Sequence, residues 1–346
     1  MDTRRQVGAF AAEHLDALRL MRDAQSLRFD GFRSPGRFRY APLHGLPQLL
    51  AAAALSRVAD GDGDGALALV GDLVSLLDAS ASDGRFGATF RSQSLQQSAL
   101  LTGLTLGLAP PSSRALAALD ALLIPAAEVD ALALSWETEQ ALFIDQVWRH
   151  LRSGRSLTGH GRVVSFLQRP WTQHQTNRRL AQFDALIAAA RQPWRDRLHA
   201  IDATTGGVSP TDSRPGRSGL LSTLEWVLDF GFYRSVARHA AQQSTLASVL
   251  RAVVAIEQFR RAEQELPERL TELDDHWRFV DPLTDGLLRY RRNSDSYTVY
   301  GVGGDGLDND GDLGTLSPFS GSWWIAPEDA PDWGVRVRLR EDAPPL

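Results

Sequence analysis

From about residue 8 to residue 265, Leu, Ala and Val recur at spacings of three and four, the period of a helix buried along one side. The pattern is clearest in HLDALRLM, LPQLLAAAALSRV, GALALVGDLVSLL, LQQSALLTGLTLGL and SRALAALDALL. Breakers divide these runs at Ser34-Pro35-Gly36, in the Gly-Asp stretch at 60–65, at Ser82-Asp83-Gly84, at Pro110-Pro111 and at Pro125. Segments of this length joined by short turns predict antiparallel helical pairs, stacked as a loose array with no repeat period of a named solenoid. Leu220 to Glu265 reads as one long helix, or two broken near Phe230-Gly231, with Leu246, Val249, Leu250, Val253, Val254, Ile256 and Phe259 as its apolar stripe.

After Glu265 the period changes from helical to alternating. Pro267 opens a short helical turn, ERLTEL, and Thr284-Asp285-Gly286 marks a chain reversal. LLRYRR and SYTVYGV then alternate on either side of Asn293-Ser294-Asp295, which predicts a β-hairpin. Val335, Val337 and Leu339 alternate with Arg336, Arg338 and Arg340, one further strand solvated on one face. The fold class expected is therefore mainly α: antiparallel helices over 1–219, then over 220–346 a long helix with a small antiparallel sheet and a C-terminal tail. Leu288, Tyr290, Tyr297, Val299 and the Trp323-Trp324 segment are the residues expected to cover the long helix.

Composition narrows the chemistry. The 346 residues carry 43% hydrophobic residues and a net charge of −5, an ordinary balance with no overall attraction to nucleic acid. There is no cysteine, which removes disulfides, thiolate metal sites and cysteine nucleophiles. There is no lysine, so a Walker lysine, a Schiff-base lysine and a Ser-Lys dyad are absent too. No apolar run reaches the ~18 residues that span a bilayer. The N-terminal MDTRRQVGAFAAEHLDALRL reads as an amphipathic helix and not as a signal peptide.

Candidate sites follow from spacing. Residues 149–199 hold ten arginines, among them Arg149, Arg152, Arg155, Arg178 and Arg179, against Asp184 and Asp196. With Phe166, Trp171 and Trp194 interleaved, they could meet an anionic surface. Neutralisation within the molecule is the simpler reading. The histidines form neither H-E-x-x-H nor a close pair, and there is no G-x-S-x-G. Glu137 reads as a buried carboxylate paired to an arginine, and with Arg149 and His150 it marks the candidate cleft between helices. Asp60-Gly-Asp62-Gly-Asp64-Gly65 matches the first half of an EF-hand loop, but Ala66 starts an apolar helix at once, so Asp62 or Asp64 reads as an N-cap. Gly301, Gly303 and Gly306 satisfy G-x-G-x-x-G, yet the run leads into Asp305, Asp308, Asp310 and Asp312 and no helix follows. Four carboxylates repel a pyrophosphate, so no nucleotide is expected there. Acidic residues on a glycine-bent loop suit a hard cation such as calcium, although Leu313 stands where an EF-hand needs its turn glycine.

Leu266-Pro267-x-x-Leu270-x-x-Leu273, Asp281-Pro282-x-x-x-Gly286 with Tyr290-Arg291, and Tyr297-x-x-Tyr300-x-x-Gly303-x-Asp305-Gly306 together resemble the C-terminal half of the major pseudopilin of type II secretion. The resemblance covers roughly 245–316. It implies a structural calcium ion held by the Val302 carbonyl, Asp305, Asp310 and Asp312, with Asp308 beside them. The acidic pair is split here by Gly311, and a large helical region precedes the module, so pilus-like polymerisation is not implied. The whole chain is also similar to uncharacterised bacterial proteins that place helical hairpins before this tail, often behind a membrane anchor. These readings lead to a non-enzymatic, periplasmic or envelope-associated scaffold or adaptor with a protein partner and a calcium-clamped loop. The alternatives are a cytoplasmic location, an enzyme with a carboxylate/histidine cleft, or an anion-binding module at 149–199.

Overall fold

The computed structural model describes residues 41–79, 84–128, 132–133, 136–141, 143–145, 169–205, 230–274, 279–304, 306–314 and 332–339. The expected N-terminal helix, the Trp323-Trp324 segment and residues 149–168 of the arginine-rich middle lie outside them. The described chain is mainly helical with a small antiparallel sheet, as the hydrophobic pattern predicts. Among the described residues no helix is long and apolar enough to cross a membrane.

Two compact units divide the chain. One comprises Met1–Ala81, Thr89–Val129 and His239–Leu346, the other Ser82–Ala88 and Asp130–Arg238. Neither is continuous in sequence. The reason is that helices far apart in the chain share one core with the sheet.

In the first unit, α1 (Ala41–Ala59) and α2 (Gly63–Ala79) pack together, and α2 packs on α4 (Ser113–Glu128). The turn between α1 and α2 has Gly61 at φ 78°, a conformation that glycine adopts without strain. Asp62 caps α2, its Oδ1 accepting from the Gly65 amide at 2.8 Å while Oδ2 pairs with Arg57 at 3.0 Å. Asp64 accepts from the Ser112 amide at 2.5 Å, and Ser112 Oγ in turn accepts from the Ala115 amide at 3.2 Å, which caps α4. The Asp-Gly run is thus a pair of helix starts. Helix α4 continues through Pro125 to Glu128, where the pattern predicts a break.

Helix α3 (Gly84–Leu108) begins before its apolar pattern does. Its buried side includes Ser94, Ser98, Thr102 and Thr105, and the last three donate their hydroxyls to the carbonyls four residues back at 2.7–2.8 Å. Small residues that satisfy themselves let a neighbour come close. That neighbour is β5 (Asp332–Arg338): a Cβ at Gly103 would lie 2.9 Å from the Arg336 carbonyl oxygen, and one at Gly107 2.6 Å from that of Arg338.

Strands β1 (Val280–Asp281) and β2 (Gly286–Leu287) form a short hairpin, and β3 (Arg289–Arg292), β4 (Ser296–Val302) and β5 form a sheet in the order β3-β4-β5, all antiparallel. The predicted hairpin and the extra strand are both present. Alternation places Tyr297, Val299 and Gly301 of β4 on one face, with Tyr290, Val335, Val337 and Trp333 beside them in register. This face meets α7 (Phe230–Glu263), whose Val249, Leu250, Val253, Val254 and Ile256 are buried. Glu257, fully buried within that stripe, accepts from the Tyr297 hydroxyl at 2.8 Å and from Arg260 at 2.7 and 3.0 Å. Burial, then the neighbouring Glu257 carboxylate, raises the Tyr297 hydroxyl well above its ordinary value.

The second unit contains α5 (Arg169–Ala190) and α6 (Trp194–Thr205), which pack together. Its core is aromatic: Trp136 is fully buried with its ring edge-on to Tyr233 at 5.9 Å, and Phe183 meets Tyr233 edge-on at 5.7 Å.

His239, buried on α7, carries a pH dependence. Burial lowers its imidazole to about 4, against an opposing hydrogen bond with Gln242. The folded value lies below the unfolded one near 6.5, so this contribution is present in full above pH 6.5 and is lost as pH falls toward 4. Urea melts at pH 7 and 4.5 should show a loss of about 2.5 kcal/mol from this group. The variant His239→Gln should lack that increment, and an equal pH response in both proteins would refute it.

Candidate functional site

The sequence places its candidate chemistry on residues 302–314, and the sheet decides how that loop lies. Asp281, fully buried, organises the loop's start. Its Oδ1 accepts from the Leu283 amide at 3.1 Å; its Oδ2 accepts from Thr284 Oγ1 at 3.0 Å, from the Val302 amide at 3.1 Å and from Arg289 Nη1 at 3.4 Å. The Asp-Pro turn and the end of β4 are thereby joined through one carboxylate. Gly301 passes so close that a Cβ there would lie 2.6 Å from Thr245 Cγ2 and 3.1 Å from the Asp281 carboxyl carbon. The G-x-G-x-x-G spacing therefore has a packing origin at its first glycine and a turn at its last, where Gly306 has φ 72° and donates to the Gly303 carbonyl at 3.0 Å.

Beyond Gly306 the chain folds back over the sheet's second face, the one carrying Arg289, Arg291, Thr298, Tyr300, Arg336 and Arg338. Asp310, Gly311 and Gly314 take positive φ, and Gly311 sits on the Tyr300 ring, where a Cβ would meet the ring at 3.0 Å. Asp332, buried at the head of β5, holds the loop down: its Oδ2 accepts from the Asn309 amide at 3.1 Å and the Gly311 amide at 2.8 Å. Its own amide donates to the Asp312 carbonyl at 3.0 Å.

Of the predicted ligands, Val302 is buried at the strand end and Asp305 lies outside the described residues. Asp308 accepts from Arg289 Nε at 2.5 Å and from the Asp310 amide at 3.1 Å. Burial pushes its carboxyl up, but the hydrogen bonds from Arg289, the Asp310 amide and the Tyr300 hydroxyl outweigh it and hold the group below the usual carboxylate range. The Tyr300 hydroxyl is raised by burial and by Asp308 and Asp332. Asp310 projects into solvent, 3.6 Å from Arg291, whose Nη1 also donates to the Asp310 carbonyl. Asp312 Oδ1 accepts from the Gly314 amide at 3.0 Å. Among the described residues no three acidic or histidine side chains converge as metal ligands do. The oxygen chemistry suits a hard cation, but the described carboxylates are arranged for arginines and amides, and an ion here would draw Asp308 and Asp310 away from Arg289 and Arg291.

The other candidates separate. Glu137 is half-exposed and pairs with exposed Arg191 at 2.5 Å, a surface ion pair of small energetic weight. Arg149 and His150, its expected companions, lie outside the described residues, as do Arg152 and Arg155. Arg178 is exposed on α5 and Arg179 half-buried, while Arg197 stacks on the Trp194 ring at 4.0 Å and donates to the Gln192 carbonyl. Glu257 and Asp332 escaped the sequence reading. A lone carboxylate inside an apolar stripe is the signal that could have found the first.

No family model, no curated protein and no solved structure matches this chain.

Proposed function

We propose that the chain is a non-enzymatic scaffold or adaptor of the bacterial envelope, carrying a pseudopilin-like C-terminal module whose loop takes a structural calcium ion. One observation carries this reading: the three buried acidic side chains among the described residues, Glu257, Asp281 and Asp332, are each engaged in joining elements of the fold. Their chemistry is architectural, with a helix, a turn and a loop fastened to a small sheet. Calcium would supply a further clamp through the Val302 carbonyl, Asp305, Asp308, Asp310 and Asp312, replacing the arginine contacts of Asp308 and Asp310.

The test is thermal melting in about 1 mM calcium against chelator. Binding a hundredfold above its dissociation constant should raise the melting temperature by about 5 °C. Asp305→Ala and Asp312→Ala should each abolish the rise. Identical melts in calcium and chelator would overturn the ion. For the location, protease added to intact cells and to spheroplasts should cleave the chain only in the latter; protection in both would remove the envelope assignment.

A further inference from the structure

We propose that the second face of the β3-β4-β5 sheet is a docking site for an acidic peptide, and that the chain's own Asp308–Asp310 segment is its intramolecular competitor. The register puts Arg289 and Arg291 of β3 and Arg336 and Arg338 of β5 on this face, with β4 between them. In each strand the two arginines stand at alternate positions, about 7 Å apart along the strand. Asp308 and Asp310 are likewise two residues apart, and they pair with Arg289 and Arg291 in the same order. The molecule therefore displays one bound occupant: a peptide segment with carboxylates at alternate positions.

The β5 pair is differently placed. Arg336 donates to neutral acceptors, Thr298 Oγ1 at 3.2 Å and the Gly311 carbonyl at 3.3 Å. Both Arg336 and Arg338 are exposed, and among the described residues no carboxylate pairs with either. Two like charges on adjacent outward positions of one strand repel, and an extended acidic segment relieves that repulsion with charge-assisted bonds. A peptide fits better than a polyphosphate because the chain's net charge of −5 opposes a long polyanion, whereas a short acidic segment engages the patch alone. Neutralising Asp308 and Asp310 removes the ion pairs that hold Arg289 Nε and Arg291, leaves Arg289 on Asp281 and Arg291 on the Asp310 carbonyl, and so raises the positive charge that the face offers to a second carboxylate segment.

The experiment uses the full chain and a fluorescein-labelled hexaglutamate peptide, read by fluorescence anisotropy at low and high salt. Arg336→Ser with Arg338→Ser should weaken binding about tenfold. Asp308→Asn with Asp310→Asn should tighten it about fivefold, and raised salt should cancel both differences. Unchanged affinity in the arginine variant, whose substitutions are exposed and leave the core intact, overturns the site. Unchanged or weaker affinity in a folded asparagine variant overturns the competition. Equal binding of a labelled single-stranded oligonucleotide overturns the choice of ligand.

Discussion

Exchanging Gly103 and Gly107 together for valine is expected to destabilise the first compact unit by about 4 kcal/mol. Both glycines of α3 face the outer edge of β5, and the atoms that added Cβ groups would strike are the backbone carbonyl oxygens of Arg336 and Arg338. A flexible side chain could swing away from such a clash, but a strand held in register by β4 cannot. Valine gains several tenths of a kcal/mol per site over glycine in helix propensity, which is too little to offset two backbone collisions. Chemical denaturation followed by circular dichroism gives the measurement. A double variant within 1 kcal/mol of the parent would mean that the helix does not approach the strand at the described distance.

Glu257→Ala should cost nearly as much, about 3 to 4 kcal/mol. The substitution removes the acceptor of the buried Tyr297 hydroxyl and the ion-pair partner of Arg260, and it leaves a hole between α7 and β4. Tyr297→Phe keeps the Glu257–Arg260 pair and should cost about 1 kcal/mol. A double-mutant cycle on the two positions should return a favourable coupling, because the hydroxyl and the carboxylate satisfy each other. Alkali tests the same contact. Tyr297 ionises with difficulty in the folded state, so its contribution is whole below pH 10, the ordinary tyrosine value, and is lost as pH rises beyond it. Tyr290, raised by burial to about 12, adds a loss between pH 10 and 12. If Glu257→Ala melts within 1 kcal/mol of the parent, the buried contact is not an anchor.

These two sites also show what could be read in advance. Helices α1, α2 and α4 announce themselves because their buried sides are made of Leu, Ala and Val at helical spacing. The hairpin does so because LLRYRR and SYTVYGV flank the Asn293-Ser294-Asp295 turn, and β5 because buried Val335 and Val337 alternate with exposed Arg336 and Arg338. Helix α3 is legible over LQQSALLTGLTLGL, where Leu95, Ala99, Leu101 and Leu106 are buried, but its start at Gly84 is not, and the Ser, Thr and Gly positions that permit close approach carry little hydrophobic signal. The aspartate loop was visible as a loop, and its partners were not. Whether Asp308 meets an ion or Arg289 depends on which strand faces which, and that is a property of the register.

The discontinuity of the first unit has a consequence for how the chain is made. Gly107 meets the carbonyl of Arg338, more than two hundred residues further along. At a translation rate of about 5 to 20 residues per second, α3 leaves the ribosome roughly 10 to 45 s before its strand has been synthesised. Through that interval the nascent chain holds a stripe of serine, threonine and glycine with nothing to close on. A chain that stops before Asp332 would leave α3 permanently without the strand on which its glycines close.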